Sequence, residues 1–141
     1  MLDLETLPRV PASARKSNRK PVALVFSRDR ALIDRVVAAS RPPWVVEVFD
    51  DGRSAPRRLI DPAVRLVIVD DEALDASERG WLVDQIRKRA PHAGIVYVAA
   101  RHEPELERAI RGSGVFYYTS RPIEEDRVHR VLDAVFAQPA A

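Results

Sequence analysis

The stretch that decides the fold is Val64-Arg65-Leu66-Val67-Ile68-Val69-Asp70-Asp71-Glu72, a run of mostly apolar residues that ends on three acids. A short Val/Ile/Leu run bounded by polar residues is typical of a strand buried on both faces, as in the middle of a parallel sheet. In such sheets, ligand sites and reactive groups collect just beyond the carboxyl ends of the strands. The sequence therefore predicts that Asp70 lies where a functional site would be.

The composition limits the classes of protein to which the chain can belong. Its 141 residues are enough for one domain that buries a core without cross-links. The absence of cysteine excludes a disulfide framework, a thiolate metal site and a cysteine nucleophile. The sequence contains no apolar segment of the signal-peptide type and no run of the about 18 apolar residues that spanning a membrane requires. We therefore expect a soluble, cytoplasmic protein without membrane contacts.

The basic character of the chain, with a pI near 9.3, belongs to its N-terminal segment. Residues 1–20 have a net charge of +3, and the rest of the chain is close to neutral. No direct nucleic-acid binding is expected, because the folded part offers no obvious phosphate-binding surface. We predict a flexible basic leader over residues 1–20, in which residues 2–7 are either a frayed terminus or a short segment that docks on a partner.

Five strand-like segments alternate with five helix-like segments along the remaining chain. The predicted strands cover residues 22–26, 44–49, 64–70, 94–100 and 115–119. The predicted helices are one from about Arg30 to Ser40, a weak one near Pro56, one capped by Ser77, one with Pro104 in its first turn, and a last one after Glu124. This alternation implies right-handed crossovers and a parallel sheet covered on both faces, so the fold class is α/β.

The order of elements, the acid after strand three and Thr119-Ser120-Arg121-Pro122 after strand five resemble the receiver domain of bacterial response regulators. The resemblance covers about Pro21 to Phe136 and implies a receiver-like domain over residues 21–137, with a tail over 138–141. It further implies a flavodoxin-like (βα)5 fold with strand order 2-1-3-4-5. Members of this family accept a phosphoryl group from a histidine kinase on an aspartate that ends strand three, using Mg²⁺.

Carried over residue by residue, the resemblance places Asp70 at the phosphoacceptor position. The acidic pair that binds the metal in the family falls on Ser27 and Arg28, with Asp29 one place too late; a register shifted by one residue is the alternative. The hydroxyl residue that ends strand four in the family falls on Ala99.

Two further positions of the family lie at the end of strand five. The aromatic switch position falls on Tyr118, and the lysine that precedes a proline falls on Arg121. The peptide between Arg121 and Pro122 would then be cis, as its counterpart commonly is in the family.

The departures from the family pattern point to a degenerate receiver, or pseudo-receiver. Ser27 and Arg28 remove the carboxylate pair that Mg²⁺ would need, and Ala99 cannot donate a hydroxyl hydrogen bond. Arg121 keeps the positive charge of the lysine but not its compact geometry. We therefore predict that phosphorylation is not the switch, and that Arg28 and Arg121 hold Asp70 by charge-assisted hydrogen bonds. A working phosphoacceptor at Asp70 that uses Mg²⁺ is the alternative.

The sequence gives less support to metal binding, anion binding or enzymatic activity. The acids from Asp70 to Glu72 are most simply solvated turn residues, so no metal and no cofactor are expected; a weak Mg²⁺ or Ca²⁺ site at Asp70 and Asp29 remains the alternative. A further hypothesis is an anion or nucleotide sensor that uses Arg28 and Arg121. No Gly-rich phosphate loop, nucleophile elbow or paired zinc-ligand histidines occur, so we do not expect an enzyme.

The strongest candidate for an interaction surface is the face formed by helix four, strand five and helix five. In the receiver family this face commonly makes dimers or meets partners, and here Ile110, Tyr117 and Tyr118 would leave it partly apolar. Burial of Tyr117 beneath a helix is an equally good interpretation. The expected function is that of a signal-transduction module of two-component type that contacts a protein partner or a second copy of itself. A histidine kinase is a candidate partner.

Overall fold

The structure is a computed structural model that describes residues 20–112 and 114–137. Apart from Lys20, the predicted leader lies outside the described residues, and so does the tail predicted over residues 138–141. No helix in the described part of the chain is long and apolar enough to cross a membrane.

Five parallel strands form one sheet in the order β2-β1-β3-β4-β5, which confirms the predicted fold class and strand order. The strands are β1 (Val22–Phe26), β2 (Val45–Phe49), β3 (Val64–Asp70), β4 (Gly94–Ala99) and β5 (Tyr117–Ser120). The helices are α1 (Arg30–Ala39), α2 (Ala55–Arg58), α3 (Glu78–Arg89), α4 (Pro104–Gly112) and α5 (Glu125–Phe136), with a 3₁₀ turn over Asp71–Ala73.

Strand β3 occupies the centre of the sheet, between β1 and β4, because both of its faces are apolar. Leu66 and Ile68 pack in the core layer that contains α1 and α5. Val67 and Val69 pack in the opposite layer, beneath α2, α3 and α4. Full burial of each such side chain contributes on the order of 1.5–3 kcal/mol to the free energy of unfolding. The hydrophobic run thus fixes the strand that positions Asp70.

One predicted strand boundary and one predicted capping hydrogen bond were wrong. Strand β5 begins at Tyr117 and not at Val115, because the preceding turn uses Gly114 at a φ of 81° and leaves Phe116 54% exposed. Ser77 precedes α3 but caps it with no side-chain hydrogen bond, since its backbone is already helical. The first turn of α3 is instead closed by Glu78, whose carboxylate accepts from the backbone N–H of Asp75 at 2.9 Å.

Candidate functional site at the carboxyl ends of the strands

The carboxyl ends of β1, β3 and β5 bring together a cluster of polar side chains around Asp70. Strands β1 and β3 are direct neighbours, so Ser27 and Asp29, which follow β1, come next to Asp70 at the end of β3. Arg121 follows β5, and its backbone N–H donates to the carbonyl of Ala99 at 3.0 Å. Its side chain reaches across the end of β4 to Asp70.

The carboxylate of Asp70 is fully buried and has donors on both oxygens. Its Oδ2 accepts from the hydroxyl of Ser27 at 2.7 Å and from Nη2 of Arg121 at 2.8 Å. Its Oδ1 accepts from the backbone N–H of Glu72 at 3.2 Å. An ionised carboxylate is stable at such depth only when its charge is paired and its lone pairs are satisfied, and these contacts meet both conditions.

Arg121 binds three carboxylates with one guanidinium group. Besides Asp70, its Nη1 lies 3.0 Å from Oδ2 of Asp29 and its Nε lies 3.2 Å from Oε1 of Glu72. The contact with Glu72 is an ion pair rather than a hydrogen bond, because the buried Nε has no partner in hydrogen-bonding geometry among the described residues. The side chain of Arg121 is only 18% exposed, so solvent screens these pairs weakly. Arg121 therefore ties the loops after β1, β3 and β5 together.

Asp29 has two roles at this site. Its Oδ1 caps helix α1 by accepting from the backbone N–H groups of Ala31 and Leu32 at 3.0 and 3.2 Å. Its Oδ2 contacts Arg121, and its own N–H donates to the hydroxyl of Ser27 at 3.0 Å. The acid that the resemblance placed one residue too late thus lies inside the cluster.

The prediction that Arg28 holds Asp70 is wrong. Arg28 Nε donates instead to the backbone carbonyl of Asp50, beyond β2, at 2.8 Å and in an exposed position. Successive side chains of an extended segment point in opposite directions, so Ser27 and Asp29 face the cluster while Arg28 faces away. Direct contacts of Ser27 and Glu72 with the cluster were not predicted, although alternation after β1 would have indicated the first of them.

A second buried acid, Asp71, binds the loop that follows β4. Its Oδ1 accepts from the backbone N–H of Ala100 at 2.6 Å, and its Oδ2 accepts from the hydroxyl of Tyr97 at 3.0 Å. Nε of Arg79 lies 3.7 Å from the same Oδ2. Burial, reinforced by the charge of Asp71, raises the pKa of Tyr97 far above its usual value, so the phenol stays protonated and donates. This network was not predicted, but a tyrosine within an otherwise aliphatic strand was a sign of it.

Tyr118, the predicted aromatic switch position, lies inside the core. Its ring stacks on Tyr97 with centroids 5.8 Å apart, and the guanidinium of Arg111 lies 5.4 Å from its ring centre. Its buried hydroxyl has no hydrogen-bond partner within the described part of the chain, and burial raises its pKa. The peptide between Arg121 and Pro122 is cis, as predicted.

The predicted interface residues require a correction. Ile110 is 2% exposed and Tyr118 is 6% exposed, and both belong to the core layer beneath α3 and α4. Ile110 is buried because the apolar stripe of α4 faces the sheet, and Tyr118 is buried because its ring stacks on Tyr97 in the core. Tyr117 is half-buried and packs against the opposite core layer. Ile110 and Tyr118 therefore contribute little to the surface on which a partner would bind.

The cluster does not fit a Mg²⁺ ion in the manner of an acidic metal pocket. A guanidinium already lies on the side of Asp29 and Asp70 that a cation would approach, and Ser27 supplies a hydroxyl where a carboxylate would be needed. Within residues 20–112 and 114–137, no group of three or more His, Asp or Glu side chains is arranged to hold a metal ion. His102 and His129 lie apart, each within 3.5 Å of a carboxylate of its own neighbourhood.

The sequence matches no family model and no curated protein. Solved structures do share its fold. A response regulator from Thermotoga maritima superimposes with a TM-score of 0.67 and 19% identity, over 85% of this chain and 100% of that one. A CheY-like response regulator receiver domain protein from Methanospirillum hungatei gives a TM-score of 0.64 and 16% identity, over 82% and 96% of the two chains.

A third neighbour is the beryllofluoride-activated NtrC4 receiver domain dimer, with a TM-score of 0.67 and 11% identity over 82% of this chain and 95% of that one. Identities this low establish the fold and not the activity. The strand order and these superpositions agree, and the chain therefore has the flavodoxin-like fold of response regulator receiver domains.

Proposed function

We propose that this protein is a signalling module of the receiver type that works through protein contacts and does not depend on Mg²⁺-assisted phosphorylation of Asp70. The receiver fold supports the general role, since the three solved structures described above, which share this fold, are response regulators or receiver domains. The chemistry around Asp70 supports the specific one. We further propose that the module has no catalytic activity of its own.

The observation that carries the proposal is the double engagement of Asp70 Oδ2 by Ser27 and Arg121. To attack a phosphoryl donor, a carboxylate oxygen needs a free lone pair directed at the phosphorus and a cation to neutralise the developing charge. Both lone-pair positions of Oδ2 already accept hydrogen bonds, Oδ1 accepts one from the backbone N–H of Glu72, and the residue is fully buried. The guanidinium that neutralises Asp70 is held by three carboxylates and is not a substitute for a hydrated Mg²⁺ ion.

The residues that would transmit a phosphorylation event support the same interpretation. Ala99 has no hydroxyl to bind a phosphoryl group. The next backbone N–H, at Ala100, is already bound by Asp71 at 2.6 Å. The loop after β4 is thus anchored by a carboxylate of the protein itself, independently of the state of Asp70.

The test is incubation of the full chain with acetyl phosphate and Mg²⁺, followed by measurement of the intact mass. We expect an unchanged mass, equal to that of the Asp70→Asn control treated in the same way. A stable gain of one phosphoryl group by the wild type, absent from Asp70→Asn, would overturn the proposal and favour the alternative, a phosphoacceptor served by a histidine kinase.

We propose that the partner is a protein or a second copy of this chain, bound at the face formed by α4, β5 and α5. A receiver dimer among the structural neighbours supports the general possibility of self-association. Since Ile110 and Tyr118 are buried, the contact must use exposed residues such as Arg108. Light scattering over a range of concentrations should detect a dimer that Arg108→Glu weakens and that Arg57→Glu, an exposed change on α2, leaves intact. A monomer at all concentrations would exclude the second copy.

The geometry disfavours an anion or nucleotide sensor built on Arg28 and Arg121. The two side chains diverge, since Arg28 binds the carbonyl of Asp50 and Arg121 faces three carboxylates. Those carboxylates already surround the guanidinium of Arg121, and their negative charges repel a phosphate.

A further inference from the structure

A cavity of about 320 Å³ lies at the end of the sheet opposite to Asp70. It is open to solvent and is lined by the loop between α2 and β3 and by the loop between α3 and β4, at the amino ends of β3 and β4. Its volume falls at the lower end of the roughly 300–1,000 Å³ range of ligand pockets. Ile60, Pro62 and Pro91 provide its apolar wall, and Ile60 is 63% exposed.

The polar lining of this cavity is mainly basic. Arg65, Arg89 and His92 contribute to it, whereas Asp61 is its one acidic member and lies within 3.6 Å of Arg58. Arg89 Nε donates to the neutral amide oxygen of Gln85 at 2.8 Å, a contact that does not cancel its charge. Aliphatic walls together with the guanidinium of Arg89 fit a ligand that is apolar and acidic at once.

A segment with this chemistry occurs in the same chain. Residues 2–7 read Leu-Asp-Leu-Glu-Thr-Leu, an alternation of leucines with acids, and the function proposed above does not use them. We propose that these residues bind the cavity of their own chain, with leucine side chains against Ile60, Pro62 and Pro91. In this arrangement Asp3 or Glu5 pairs with Arg89. This intramolecular contact goes beyond the proposed function and does not depend on it.

Chain length and the position of β1 support an intramolecular occupant. The N–H of Val22 donates to the carbonyl of Ala63 at 2.8 Å, so the chain enters the sheet beside Val64, which itself lines the cavity. Residues 8–21 can span roughly 45 Å when extended, since each residue contributes about 3.3 Å. The linker is therefore long enough to return to the cavity, and tethering raises the local concentration of the segment.

The absence of native cysteine allows a direct test with the full chain. A nitroxide spin label is attached at Thr6→Cys, and the broadening of backbone amide signals is measured by NMR before and after reduction of the label. We expect selective broadening at residues 60–65 and 89–92. Arg89→Glu should abolish it, and at least one of the single reversals Asp3→Arg and Glu5→Arg, each added to Arg89→Glu, should restore it. The matched control Arg101→Glu, on an arginine that is 81% exposed and lines no part of the cavity, should leave it unchanged.

Two outcomes would overturn this proposal. One is that the amide signals of residues 60–65 and 89–92 are not broadened, or that they are broadened equally in Arg89→Glu. The other is broadening of the isotope-labelled chain when the nitroxide is present only on a second, unlabelled chain, because the occupant would then be a segment of another copy. Neither outcome bears on phosphorylation at Asp70, so the two proposals fail independently.

Discussion

Arg121 and Asp70, 51 residues apart in the chain, form a buried ion pair in which Nη2 of the arginine lies 2.8 Å from Oδ2 of the aspartate. The same guanidinium contacts Asp29 and Glu72, so one cation balances acids from two other strand ends. A cation that belongs to the chain, unlike a bound metal ion, is present at all times. This ion pair therefore explains why the buried charge of Asp70 is stable, and it supports the proposal that the site works without Mg²⁺.

Replacement of Arg121 by methionine should lower the free energy of unfolding by about 3 kcal/mol, because it leaves the charge of Asp70 buried without a partner. Urea denaturation measures the change. Arg101→Met, which removes an exposed pair with Glu103, should cost less than about 1 kcal/mol. Asp70→Asn combined with Arg121→Met should recover part of the loss, since both buried charges are then absent. Equal losses in the free energy of unfolding for Arg121→Met and Arg101→Met would contradict the conclusion that Arg121 and Asp70 form a buried, stabilising ion pair.

Restoring the family's residue types should create a phosphoacceptor. Ser27→Asp places a carboxylate where the hydroxyl now lies 2.7 Å from Asp70, Ala99→Thr adds a hydroxyl, and Arg121→Lys supplies a compact cation. We expect the triple variant to gain one phosphoryl group from acetyl phosphate only when Mg²⁺ is present, as measured by intact mass. The triple variant with Asp70→Asn is the control and should gain nothing. A triple variant that folds and binds Mg²⁺ yet stays unmodified would show that the obstacle lies elsewhere.

Asp71 should stabilise the loop after β4. Asp71→Leu leaves the N–H of Ala100 and the hydroxyl of Tyr97 without an acceptor, and two unsatisfied buried donors cost about 3 kcal/mol together. Hydrogen exchange at the Ala100 amide should become faster in this variant. Asp75→Leu, an exposed change nearby, serves as the control and should alter neither quantity. Unchanged protection of Ala100 in Asp71→Leu would argue against the anchor.

The protein should lose stability at alkaline pH through Tyr97. Burial raises the pKa of Tyr97 above its usual value of 10.0, chiefly by desolvation and then by the charge of Asp71. Below the pKa of the unfolded chain both states carry the proton, so the contribution is fully present. Above it only the unfolded state releases the proton, and the free energy of unfolding falls as the pH rises. Tyr118 acts in the same direction.

Urea titrations from about pH 9 to about pH 11 measure this decline, since the interval spans the usual tyrosine pKa. Tyr97→Phe should start from a lower stability at neutral pH, because Asp71 loses a hydrogen bond, and should then decline less steeply. If the free energy of unfolding of Tyr97→Phe fell with pH as steeply as that of the wild type, Tyr97 would not be the cause of the alkaline loss of stability.

Tyr118→Phe should leave the free energy of unfolding unchanged or raise it by up to about 1 kcal/mol. The buried hydroxyl of Tyr118 has no hydrogen-bond partner among the described residues, so its desolvation is not compensated by a hydrogen bond. Thermal or urea unfolding measures the change. Ile110→Asp should instead unfold much of the protein, since a charge would enter a core position that is 2% exposed. A folded Ile110→Asp variant with an altered association state would favour the interface role that the sequence suggested.

The sequence by itself determined the order and type of the elements and the location of the site. The predicted first helix, from about Arg30 to Ser40, agrees with the observed Arg30–Ala39 to within one residue, because apolar periodicity and caps are local properties. The apolar run of β3 identified the central strand, and the last residue of that strand, Asp70, identified the edge at which the polar cluster lies. In a parallel sheet the last residue of a central strand lies at the carboxyl edge, and this position does not depend on which other side chains are present.

Only the tertiary structure decided which side chains meet at that edge. Asp29 and Arg28 are neighbours in sequence, yet one enters the cluster and the other turns to the loop after β2. Asp70 and Asp71 are also neighbours, and they bind Arg121 and the loop after β4 respectively. Each of these outcomes depends on the direction of a side chain and on a partner tens of residues away. The spacing of residues in the sequence gives neither the direction of a side chain nor its distant partner. Both are set when the ends of the five strands pack against one another.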